Sequence, residues 1–80
     1  MTAKNRPEPG LDIDELIERR YSDLSPRLRQ AARYIIDNPQ HVAVRSMRDV
    51  AGSAAVDPST MVRLAQDLGF EGYDALRDRY

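Results

Sequence analysis

Asp57, Pro58, Ser59, Thr60, Arg63 and Gln66 are the side chains of this sequence whose types and spacing offer the richest chemistry. Asp57-Pro58 is a helix start, a capping residue followed by a proline with no amide to leave unpaired. Ser59 and Thr60 then place hydroxyls beside the unpaired amides of a first turn, a combination suited to gripping a phosphate. Arg63 follows on the exposed side, between apolar Met61 and Leu64, where a guanidinium can bond guanine O6 and N7 together. Gln66 falls three residues later on that face, and a carboxylate at Asp57 can accept from a cytosine amino group. This is chemistry of recognition rather than of bond making. Plainer roles stand beside it: simple capping for the first turn, and for Arg63 an ion pair with Asp67 at i+4.

Bond-making chemistry has little to stand on. His41 is the only histidine, it lies beside a proline turn, and the chain has no cysteine. The acids are scattered and mostly neighbour arginines at helical spacing, as solvated ion pairs do. No glycine-rich phosphate loop is present, and Gly69 and Gly72 read as a helix cap and a turn. We expect no enzyme activity, no metal ligands and no cofactor.

The elements that must position the first group are helices. Residues 46–68 read as two short helices around a tight turn. Ser46 caps the first with Asp49 in the capping-box position, and Asp57 supplies a side-chain cap to the second, the recognition helix, at about 58–68. Small Ala51, Ala54 and Ala55 suit a close approach of two helices, with Val50, Val56, Met61 and Leu64 between them. Such a helix-turn-helix places its second helix in the DNA major groove. Arg45 and Ser46 precede the first helix, where chains graze the phosphate backbone, and Tyr73 is either a phosphate donor or a core tyrosine.

Earlier in the chain, Asp12 and Glu15 form a capping box for a helix over about 13–21, with Ile13, Leu16, Ile17, Tyr21 and Leu24 at helical spacing. Ser25-Pro26 starts a second helix whose stripe of Leu28, Ala31, Ala32, Ile35 and Ile36 is strongly amphipathic. Arg27, Arg29 and Arg33 lie off that stripe, on a solvated face or against a DNA backbone. Asn38-Pro39 ends this helix. Residues 40–44 allow one short turn with Val42 and Val44 packing inward. Gly69 caps the recognition helix, Phe70 packs back, and a last helix over 73–80 sets Leu76 and Tyr80 on one side. Residues 1–10 form a polar leader expected to be disordered. With no strand pattern, the expected fold is all-α, a compact bundle of about five to six helices over residues 11–80. The last helix stops abruptly, as expected of a piece of a longer protein.

The 80 residues carry a net charge of −1, and residues 41–80 hold five arginines against six acids. DNA-binding domains usually carry a basic excess. The balance therefore predicts modest affinity from one copy and a need for a homodimer. Arginine supplies eleven of the twelve cations, which favours bidentate contacts over diffuse charge. No run is long and apolar enough for a membrane span, and the lack of cysteine suits a reducing, cytoplasmic setting.

Two segments carry a likeness to a known family: YIIDNP, from Tyr34 to Pro39, and STMVRLAQDLGFEGY, from Ser59 to Tyr73. Over roughly residues 11 to 80 the chain resembles the N-terminal helix-turn-helix domain of RpiR-type (MurR/RpiR) bacterial transcription regulators. The resemblance implies a homeodomain-like fold that binds double-stranded DNA. It also implies fusion to a C-terminal sugar-isomerase-type domain, absent from this chain, that binds a phosphosugar effector. The whole would control genes of sugar metabolism. The chain departs from the family pattern at Asp57, where serine is usual, and at Gln66-Asp67, which replace a basic pair. A different class of function, a non-catalytic interaction or dimerisation module, would use exposed apolar residues of the first helix such as Ile13 and Leu16.

Overall fold

The computed structural model describes residues 12–79, so the expected leader at 1–10 and the expected placement of Tyr80 lie outside the described residues. Helix α1, Ile13–Arg20, opens on a complete capping box. The Glu15 amide donates to the Asp12 carboxylate at 2.9 Å, and the Asp12 amide donates to Glu15 Oε1 at 3.3 Å. Ile13, Leu16 and Ile17 are all buried, so the interaction surface expected on this helix does not exist; its apolar stripe is core. Tyr21 belongs to a separate 3₁₀ turn, Tyr21–Asp23, rather than to α1. Arg29 holds that turn: Nε donates to the Tyr21 carbonyl at 3.1 Å and Nη2 to that of Ser22 at 3.0 Å, and the guanidinium lies 5.2 Å from the Tyr21 ring centre.

Ser25 caps α2, Pro26–Asp37, by accepting from the Leu28 amide, and Pro26 occupies the first turn. Leu28, Ala31, Ala32 and Ile35 are buried. The helix stops before Pro39, as proline restricts the residue before it, and the Asn38 amide side chain donates to the Tyr34 carbonyl at 3.1 Å. Helix α3, Pro39–Val44, buries Val42 but leaves Val44 79% exposed. Residues two apart on a helix point about 200° apart. Val42 and Val44 therefore cannot both pack inward, contrary to expectation. His41 in α3 is hydrogen-bonded through Nδ1 to the Tyr34 hydroxyl, a tie between α2 and α3.

Ser46 caps α4, Met47–Ala54, by accepting from the Asp49 amide at 3.2 Å. The helix closes with Val56 N–H on the Ala51 carbonyl at 3.0 Å and Ala55 N–H on that of Gly52 at 3.1 Å. This pair of bonds is a Schellman motif. Its left-handed position is Ala55, at φ 62°, exposed rather than at the helix contact expected for it. Helix α5, Pro58–Asp67, ends the same way, with Phe70 N–H on Ala65 O at 2.9 Å and Gly69 N–H on Gln66 O at 3.0 Å. Here the left-handed residue is Gly69, φ 101°, which carries no Cβ penalty. Helix α6, Tyr73–Arg77, follows.

Helix α5 sits at the centre, packed against α2, α4 and α6. Its Met61, Leu64 and Ala65 are fully buried. Met61 and Leu64 each contribute about 1.5–3 kcal/mol of apolar burial. Tyr73 is core as well: it is 4% exposed, and its hydroxyl is buried without a hydrogen-bond partner. Burial pushes the Tyr73 phenol pKa up, the Arg77 charge pulls it down, and Asp74 adds to the rise.

Two stability predictions follow from these strained or unpaired groups. Ala55→Gly relieves a left-handed alanine and should raise unfolding free energy by about 0.5–1 kcal/mol after glycine's entropy cost; a lower urea midpoint would contradict this. Tyr73→Phe removes an unpartnered hydroxyl and should leave the protein as stable or up to about 1 kcal/mol more so. Since the folded pKa is raised, the Tyr73 contribution is complete below the ordinary tyrosine range and lost as pH rises through the folded pKa. Alkaline melting curves should therefore fall less steeply for Tyr73→Phe than for the parent, and parallel curves would refute the assignment.

Candidate nucleic-acid interface

The inner side of α5 is consumed by the core, which fixes what its outer side presents. Asp57, Pro58, Ser59, Arg63 and Gln66 are exposed, and Thr60 and Val62 are half-buried. The Arg63 side chain is 70% exposed, with Nε 3.7 Å from Asp67 Oδ1. An ion pair this solvated holds the arginine only weakly. The ion pair with Asp67 expected at i+4 is formed, and the guanidinium stays open to solvent.

Asp57 has the extended backbone of a capping residue, but its carboxylate makes no capping bond. That corrects the side-chain cap expected there. Pro58 lacks an amide, and the Thr60 amide is taken by the Asp57 carbonyl at 2.9 Å, so the first turn is closed by backbone alone. The Asp57 charge is left in solvent at the entry to α5.

Ser59, Thr60, Arg63 and Gln66 line one wall of a cleft of about 620 Å³, and Ser25 and Arg27 of α2 line the other. Arg45 and Ser46 do not join this group. They are exposed, but they stand at the start of α4, about 12 Å of helix from the turn that leads to α5. The Ser46 hydroxyl is already a cap acceptor. Tyr73, a candidate by sequence, is withdrawn from the surface by its burial. Among the described residues no three His, Cys, Asp or Glu side chains gather as a metal site requires. No described helix is long and apolar enough to cross a membrane.

Two contacts that aim α5 have no signal in the sequence. Gln30 Nε2 on α2 donates to the carbonyls of Ala54 at 2.8 Å and Ala55 at 3.2 Å, clamping the turn between α4 and α5. Arg20 Nη1 at the end of α1 donates to the Asp67 carbonyl at 3.4 Å, where a helix C-terminus favours positive charge. Each joins residues far apart in the chain, so only the packed fold defines them.

The helix-turn-helix domain of the rpiR family matches residues 11–79. The chain is 31% identical over 67 residues to the HTH-type transcriptional regulator GlvR of Bacillus subtilis, covering 84% of this chain and 26% of that protein. It is 33% identical over 61 residues to YfhH of Escherichia coli, an uncharacterised HTH-type transcriptional regulator, covering 76% of this chain and 22% of that one. The chain thus spans about a quarter of the length of these relatives. The crystal structure of the N-terminal domain of ybbH from Bacillus subtilis superposes with a TM-score of 0.77 at 24% identity, over 84% of this chain and 82% of that one, and shows the same fold. By the match across residues 11–79, this chain belongs to the rpiR family of helix-turn-helix domains, the DNA-binding domains of transcriptional regulators.

Proposed function

We propose that the chain reads specific double-stranded DNA by inserting α5 into the major groove, as the operator-binding part of a bacterial transcription regulator. One observation carries this reading: α5 buries Met61, Leu64 and Ala65 along one side, yet leaves Ser59, Arg63 and Gln66, with Asp57 and Pro58 at its entry, exposed along the other. A rigid helix with a free hydrogen-bonding face is what base reading requires. Arg63 takes guanine, Gln66 supports it, and Pro58, Ser59 and Thr60 meet the sugar-phosphate edge as the helix enters. Arg45 and Ser46 lie against a phosphate further out.

The acidic balance of the chain limits the affinity of one copy, so the working form is a homodimer reading two half-sites. In the whole regulator a further domain would sense a phosphosugar, and the regulated genes would serve sugar metabolism. The alternative of a pure docking module loses its surface, because Ile13 and Leu16 are core residues.

Fluorescence anisotropy with a duplex recovered by the chain from a random-sequence pool tests the reading. Arg63→Ala should weaken binding by about 1–3 kcal/mol and relax base preference at one position, with an unchanged melting temperature. Undiminished affinity would remove Arg63 from the interface. Asp57→Ser should strengthen binding, because Asp57 makes no cap and its charge faces the DNA. Weaker binding would instead mean that the carboxylate accepts from a base.

A further inference from the structure

Arg27 occupies the second position of α2, is exposed, and makes no ion pair or hydrogen bond with any described residue. Two other arginines of this end of the fold are committed elsewhere: Arg29 to the Tyr21–Asp23 turn and Arg20 to the end of α5. Arg27 instead lines the cleft whose opposite wall is the outer side of α5, with Ser59, Thr60, Arg63 and Gln66. The major groove is about 12 Å wide and is bounded by phosphate strands. A helix lying in it therefore has a phosphate strand along each flank. The cleft is the flank of α5 that faces α2.

We infer that this cleft receives one DNA strand and that Arg27 is its phosphate contact, donating to phosphodiester oxygens while Arg63 reaches the bases. The inference rests on the α5 reading above and adds a second element, α2, to the interface. The Ser25 hydroxyl oxygen accepts from the Leu28 amide, and its O–H stays available as a neutral donor beside the charged Arg27. Two carboxylates also line the cleft. Asp67 faces Arg63 at 3.7 Å, and Asp23 makes no ion pair with a described residue. Arg27 is thus the cation that offsets Asp23 for an incoming phosphate. A phosphate contact fixes position without reading sequence, so its loss must weaken all duplexes alike.

The test compares Arg27→Ala, Arg27→Lys and Arg63→Ala in the full chain, by anisotropy titration over a range of salt. The probes are the pool-selected duplex and a scrambled duplex of the same composition. Arg27→Ala should weaken both about fivefold at physiological salt and make the slope of log K against log salt shallower by about 0.9. Arg27→Lys should restore the slope. If Arg27→Ala changes neither affinity nor slope while Arg63→Ala weakens binding, the inference fails and the α5 reading stands. If neither variant has an effect, both fail. A loss by Arg27→Ala confined to the selected duplex, or a lysine variant as weak as the alanine one, also overturns the phosphate role.

Discussion

The fold depends on burying one side of α5. Met61, Leu64 and Ala65 have no exposure at all, and α2, α4 and α6 each pack on this helix. In a chain this short the core is small, and no cysteine is present to staple it. The helix with the exposed polar row is therefore also the one the structure can least do without. That coupling gives the row its rigidity: its side chains stand on a backbone that cannot shift without opening the core.

Around this helix the polar contacts set direction rather than bulk stability. The Schellman closures of α4 and α5 use the same pair of backbone bonds, with Ala55 and Gly69 at the left-handed positions. Gln30 grips the first of these turns and Arg20 the end of α5, so α5 is held at both ends from outside the helix-turn-helix. Arg29 and the Tyr34–His41 pair do the same for the connections flanking α2. Arginine's fork suits this service, and it leaves fewer cations for the surface than the composition suggests.

Local signals were legible in the sequence and long-range ones were not. Asp12 with Glu15, Ser25 with Pro26, Ser46, and Gly69 each act within a few residues as caps, although at Ser46 only the hydroxyl half of the expected capping box with Asp49 forms. The helical class and the family likeness followed from the same local patterns. The misreadings were of burial and direction. Ile13 and Leu16 have the same stripe whether it faces a partner or the core, and only packing decides. The apolar character of Val44 points inward, but the geometry of a six-residue helix that buries Val42 turns it out to solvent. For Tyr73 the sequence leaves a surface and a core position both open, and its burial in α6 decides for the core. Asp57 has a capping residue's backbone without its hydrogen bond. For the candidate interface, the row on α5 was legible by helical spacing. The approach of Arg27 to it was not, because it joins residues more than thirty apart in sequence.

The central claim, that DNA lies against the outer side of α5 and the cleft beside it, is met most directly by amide NMR. A ¹H–¹⁵N correlation titration with the pool-selected duplex reports every backbone N–H at once. The account predicts the largest shifts at Ser59, Thr60, Arg63 and Gln66, with Arg27 among them and little change at Val42 or Ile17. Shifts concentrated on α1 or α3, with α5 silent, would contradict it.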